Sequence, residues 1–138
     1  MIDLESDIYD YVSKALVSAH SDVHVSGEYE PTISEFPAVT ITESDNRVVE
    51  NMRTTNIENA VRVMYETNVY SNKVAGRKSQ AKAIANTLDS IFGGINFTRV
   101  VRTVVPNMND ATIYRIVCRY EGVIGPARES GHYLIYQT

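Results

Sequence analysis

Apolar residues recur along this chain with two different periods, and the switches between them divide it into elements. Leu4, Ile8, Tyr11, Val12, Ala15, Leu16 and Ala19 fall at three-and-four spacing, which predicts a helix over Ile2–Ala19 with one apolar stripe. Asp3, Glu5 and Asp7 stand in its first turns, where negative charge suits the positive end of the helix dipole, and His20, Ser21 and Asp22 end it. A short strand is expected over Val23–Tyr29, closed by Gly27 and Pro31. After Pro37, Ala38–Thr42 alternates cleanly, with Val39 and Ile41 on one face. Ile57–Tyr70 is the longest alternating run. It puts Val61, Val63, Tyr65, Thr67 and Val69 on the core face and Arg62, Met64, Glu66, Asn68 and Tyr70 on the other.

The period then returns to that of a helix. Ala81, Ile84, Ala85, Leu88, Ile91 and Phe92 form a stripe over Ser79–Phe92, and Gly93-Gly94 is the expected stop. Two hairpin strands follow, Asn96–Val105 and Thr112–Ile124, joined by turn chemistry at Pro106-Asn107-Met108-Asn109-Asp110. The pattern predicts an α+β fold: one mostly antiparallel sheet, an N-terminal helix, and a second helix packed across a sheet face.

Two stretches fit this scheme poorly. Ser44–Asn56 is polar apart from Val48 and Val49, and too long for an ordinary connection; it is either a functional loop or the projecting tips of the flanking strands. The tail after Gly125 is a linker followed by His132–Thr138, whose apolar and aromatic residues do not resemble a solvated terminus. It is expected to be an edge strand or an arm docked on a neighbour. The chain thus reads as one domain over 1–125 with a C-terminal tail over 126–138.

Composition narrows the function classes. The 138 residues, 43% of them hydrophobic, suffice for one core without disulfides. A formal charge of -4 and a pI near 5.3 argue against a dedicated nucleic-acid binder. Cys118, the single cysteine, sits among apolar strand residues and reads as a small buried hydrophobe rather than a reactive thiol. No run approaches the ~20 apolar residues that cross a bilayer, and the acidic N-terminus lacks the form of a signal peptide, so no membrane partner is expected and the protein is expected in a cytoplasm.

Candidate chemistry is sparse. His20 and His24 have ligand spacing but straddle a helix end, with no HExxH pattern. Asp3, Glu5, Asp7 and Asp10 trace the solvent side of a helix. Gly93-Gly94 follows a helix instead of preceding one, so it cannot cradle a phosphate. No catalytic, cofactor or metal residue is assigned and no enzyme activity is expected. The hairpin is more informative. Pairing Val105 with Thr112 places Arg102 opposite Arg115, Thr98 opposite Arg119 and Arg99 opposite Cys118. One face then mixes β-branched residues with three arginines, which needs either a partner or a counter-charge from Glu66 or Glu121 on a neighbouring strand.

Several strings carry a family likeness. They are Val61-Arg62-Val63-Met64-Tyr65-Glu66-Thr67-Asn68-Val69-Tyr70-Ser71-Asn72, the helix Gln80–Phe92, Asn96-Phe97-Thr98-Arg99, the turn Asn107–Asp110, and Ile113–Ile124. With the N-terminal helix they span roughly Met1 to Gly125, and the whole resembles the tail-terminator (tail-completion) proteins of long-tailed bacteriophages, small minor tail or head–tail joining components. The resemblance implies a structural subunit of a homo-oligomeric ring, usually a hexamer, on the head-proximal end of the tail tube. Its partners would be further copies of itself, the tail-tube protein and the head connector or stopper, with DNA only passing through. Its place would be the virion tail or neck, after synthesis in the host bacterial cytoplasm. Arg99, Arg102, Arg115, Arg119, Arg47, Arg53, Tyr133 and Tyr136 are the expected interface residues. Alternatives are another neck or tail component, such as a head-closure or tube protein, and a small hydrolase or ligand-binding enzyme with a pocket between helices and sheet.

Overall fold

A computed structural model describes residues 3–28, 33–49, 60–106, 110–126 and 133–136, with backbone alone for Pro126 and 133–136. Among them are two helices and six strands in the order α1 (Glu5–Ala19), β1 (His24–Ser26), β2 (Ala38–Val48), β3 (Val61–Ser71), α2 (Arg77–Gly94), β4 (Thr98–Val104), β5 (Tyr114–Pro126) and β6 (Tyr133–Tyr136). The fold is α+β, as the periodicity predicts. The sheet runs β1-β2-β3-β5-β4, and only β1 with β2 is parallel. β6 pairs with Val123–Pro126 of β5, beyond the stretch that β4 occupies, so the C-terminal strand extends the same edge of β5.

Both helices lie on one sheet face. α2 packs on β3, β5 and β4, while α1 leans on α2 and reaches β2. The core between them holds Val61, Val63, Tyr65 and Val69 of β3, Ile116, Cys118, Tyr120 and Ile124 of β5, and the α2 stripe Ala81, Ile84, Ala85, Leu88 and Phe92. Thr67 is buried on this face too, as the alternation of β3 requires. An aromatic group anchors it: Phe92 stacks on Tyr120 at 4.3 Å and 8°, and meets Phe97 edge-on at 5.5 Å. Phe97 in turn lies over Gly122, where a Cβ would stand 3.0 Å from its ring, so any larger residue would have to push the ring aside.

The structure corrects several expectations. The α1 stripe is narrower than predicted: Ile8, Val12 and Leu16 are buried, while Tyr11 and Ala19 are exposed, because α1 sits at one end of the layer and meets its neighbours along a single i, i+4 line. The half-buried Tyr9 packs against the core instead. Gly93 and Gly94 belong to the last turn of α2, and the left-handed residue beyond the helix is Asn96 at φ 68°. Its N–H donates to Gly93 O and that of Phe97 to Phe92 O, which closes the helix end. Ser44–Val48 is not a loop but the second half of β2, paired with β3 out to Val48 opposite Val61, so the projecting-tip alternative describes this part. The remainder of Ser44–Asn56, apart from Val49, lies outside the described residues.

Candidate protein–protein interface

The residues of β3 and β5 that alternate with the core set point away from both helices. In register they pair Arg62 with Val123, Met64 with Glu121, Glu66 with Arg119, Asn68 with Val117 and Tyr70 with Arg115. Among the described residues no helix lies on this face. Its charges are matched from strand to strand. The Nε and Nη2 of Arg119 both donate to Glu66 Oε1 at 3.2 Å. Arg62 Nη1 lies 3.5 Å from Glu121 Oε1. Arg115 donates twice to Asn68 Oδ1, at 2.9 and 2.7 Å, and its guanidinium lies 5.5 Å from the Tyr70 ring centre. Asn68 is 1% exposed although it faces away from the helices, and Tyr70, Val117 and Val123 on the same face are 3%, 7% and 8% exposed, so the middle of this face is buried while its arginines stay at the surface. The counter-charge alternative for this face is therefore the observed one for Arg119, with Glu66 supplying it.

The predicted hairpin register is wrong by an odd number over most of β4. An irregularity between Arg99 and Val101 leaves Val100 as an extra residue, and beyond it Arg102 pairs with Cys118 and Val101 with Arg119. One extra residue exchanges the faces of everything after it. Arg102 thus stands on the helix side, where its Nη1 donates to Asn86 Oδ1 at 2.7 Å, and Arg115 is not opposite it. Arg99, opposite Tyr120 instead of Cys118, reaches Asp89 Oδ1 at 3.5 Å. The four hairpin arginines form two pairs on opposite sides of the sheet: Arg115 and Arg119 on the open face, Arg99 and Arg102 clamping α2. Arg47 sits far along β2, opposite Arg62 and held by Asp45 at 2.8 Å. Arg53 lies outside the described residues, as do the side chains of Tyr133 and Tyr136.

β4 ends the sheet. Val105 N–H donates to Arg115 O, so alternate residues Thr103 and Val101 turn their main chain toward β5, while Arg102 and Val104 turn theirs outward. No described strand pairs with that outer side. Val100, Val101 and Val104 are 49%, 38% and 53% exposed along it, an apolar edge of the kind that recruits another chain.

The opposite end has different chemistry. A cleft of about 470 Å³ opens between α1 and β1, with Tyr9, Val25 and Ile41 as apolar lining and Glu5 and Glu28 as acidic lining. Beside it the carboxylates of Asp3, Glu5 and Glu43 converge within 4.8 Å, and the buried Tyr65 hydroxyl donates to Glu43 at 3.5 Å. Burial first, and then the charges of Glu5 and Asp3, push the Glu43 carboxyl up to about 7. Burial likewise raises the Tyr65 hydroxyl well above its ordinary range. His20 and His24 are structural: His20 Nε2 lies 2.8 Å from the Thr87 hydroxyl, which itself donates to Ala83 O, and His24 pairs with Glu35.

Residue-by-residue reading missed this end of the molecule, although a plain signal exists. Twelve acidic and three basic residues precede Val61, whereas five acidic and ten basic residues follow from there on. The chain matches no protein-family model and no curated protein.

Proposed function

We propose that this chain is a structural subunit of the tail-terminator kind, which caps the head-proximal end of a phage tail tube as a ring and presents a surface to the head connector. The observation that carries this reading is the single-sided architecture: among the described residues both helices pack on one sheet face, no helix lies on the other, and the β4 edge has no strand partner. A ring subunit needs two lateral contacts to its neighbours and further contacts above and below, and a two-layer domain with an open face and an open edge offers them. Most of the sequence strings that resemble the family lie in β3, α2, β4 and β5, and three of these, β3, β4 and β5, build that face and edge.

A small enzyme is the competing reading, and the α1–β1 cleft with its raised Glu43 favours it. Among the described residues its polar lining is carboxylates and hydroxyls, with no histidine, lysine or arginine to complete an acid–base pair or bind a substrate anion.

The test is tube growth. Purified chain added to polymerising tail-tube protein of the same virus is expected to stop elongation, with a density cap at one tube end by electron microscopy. Tubes that grow to the same length with no cap would contradict the proposal.

A further inference from the structure

The order of strands converts the charge split along the chain into a split across the molecule. α1, β1 and β2, from the acidic stretch before Val61, occupy one end of the sheet, and β5, β4 and α2, from the basic stretch, occupy the other. The two ends also complement each other in shape and polarity. At the basic end, β4 is the edge strand, with outward main-chain groups at Arg102 and Val104 and with Val100, Val101 and Val104 exposed; Val104 shares the helix side with the guanidinium groups of Arg99 and Arg102, and Val101 lies on the other side. At the acidic end, the α1–β1 cleft is concave. Glu5 and Glu28 line it around Tyr9 and Val25, and it continues along α1 past Val17 and Lys14 as a second hollow of about 560 Å³.

We propose that the β4 edge of one copy seats in the α1–β1 cleft of a second copy, with the valines against Tyr9, Val17 and Val25 and the arginines facing Glu5 and Glu28. This inference rests on reading the chain as a ring-forming subunit, and it names the lateral contact that builds the ring. The two surfaces are different patches at opposite ends of one sheet, so the contact is heterologous and repeats head to tail. Charge complementarity selects a second copy as the occupant: the basic edge fits an acidic groove that every copy carries. Among the described lining residues Lys14 is the one basic side chain; it stands on α1 in the second hollow, which Glu28 does not line.

Charge exchange tests the contact on the full chain. One variant carries Arg99→Glu and Arg102→Glu, a second carries Glu5→Lys and Glu28→Lys, and circular dichroism checks that both fold. Sedimentation velocity of the wild type is expected to show concentration-dependent self-association that weakens with salt. Each variant alone is expected to lose about a hundredfold in association, because like charges then meet across the contact. An equimolar mixture of the two should recover it, since each reversed edge finds a reversed cleft. Val104→Asp, at a half-exposed position without a role in the core, is a variant safe for folding and should weaken association alone. Variants that associate as the wild type does, or a mixture of folded variants that fails to recover, would overturn the contact. So would a wild type that stays monomeric at every concentration reached. The tube-growth assay stands apart: a chain that caps tubes yet ignores these substitutions keeps the proposed function and loses only this interface, the occupant of the β4 edge then being the tube protein.

Discussion

The same two strands, β3 and β5, build both faces of the sheet, and their alternate residues solve opposite problems. Toward the helices, Tyr65, Val69, Ile116 and Tyr120 are each about 1% exposed and interlock with α2. Away from them, Arg62 pairs with Glu121 and Arg119 with Glu66, while Arg115 donates to Asn68. The covered face gains its stability from apolar burial, which depends on shape and scarcely on salt. The other face holds its charges in ion pairs and hydrogen bonds between neighbouring strands. Apolar burial and charge pairing are thus separated by the two-residue period of a strand.

If that separation is real, the largest effect belongs to the covered face. Phe92→Ala removes the ring that stacks on Tyr120 and meets Phe97, and is expected to cost about 3–5 kcal/mol in denaturant unfolding. A smaller loss would mean that the aromatic group re-collapses. Next comes a deeply buried polar residue of the face away from the helices. Asn68→Ala leaves the Arg115 guanidinium without its acceptor and is expected to cost about 1.5–3 kcal/mol. A neutral outcome would show that Arg115 is held by Tyr70 and water alone.

At the rim of the covered face the comparison acquires a pH dependence. Glu43 is a carboxyl whose folded-state value is raised from 4.5 to about 7. The folded state therefore binds this proton more tightly than the unfolded chain does. The resulting stabilisation is complete below about pH 4.5 and lost as pH rises through about 7. Thermal melts should accordingly show a fall in Tm between pH 5 and 8 attributable to this group, superimposed on the contributions of other groups. Glu43→Gln, which stays neutral, should flatten that fall and melt higher than the wild type at pH 8. An unchanged slope would show that Glu43 ionises normally. The smallest effect is expected at the more exposed of the two ion pairs on the face away from the helices: Arg119→Ala should change stability by only about 0–1 kcal/mol, and less at high salt. A loss comparable to that of Phe92→Ala would erase the distinction between the faces.

Much of this arrangement is legible in the pattern of residues. The alternation in β3, with Val61 through Val69 on the core side, and the stripe of α2 identify the covered face directly, because burial imposes a period. Three things are not legible, each for a physical reason. β2 continues through Ser44-Asp45-Asn46-Arg47 although those residues favour turns, because β3 offers a partner along its length and the ladder outweighs local preference. The extra residue at Val100 has no signature in Arg99-Val100-Val101-Arg102, so the face of Arg102 was decided by a backbone irregularity that alternation cannot show. The helix stop at Asn96 was masked by the two glycines before it, which look like the left-handed position but remain helical. The polar end at α1 and β1 was legible only as a charge total over sixty residues, and individual carboxylates on a helix say little.

The central claim is that the open side of this sheet exists for assembly, and negative-stain electron microscopy of the purified chain, alone and with tail-tube protein, tests it most directly. Closed rings with a central channel, free or seated on one end of each tube, are the predicted result. Dispersed single subunits in both samples, with tubes uncapped, would contradict the account.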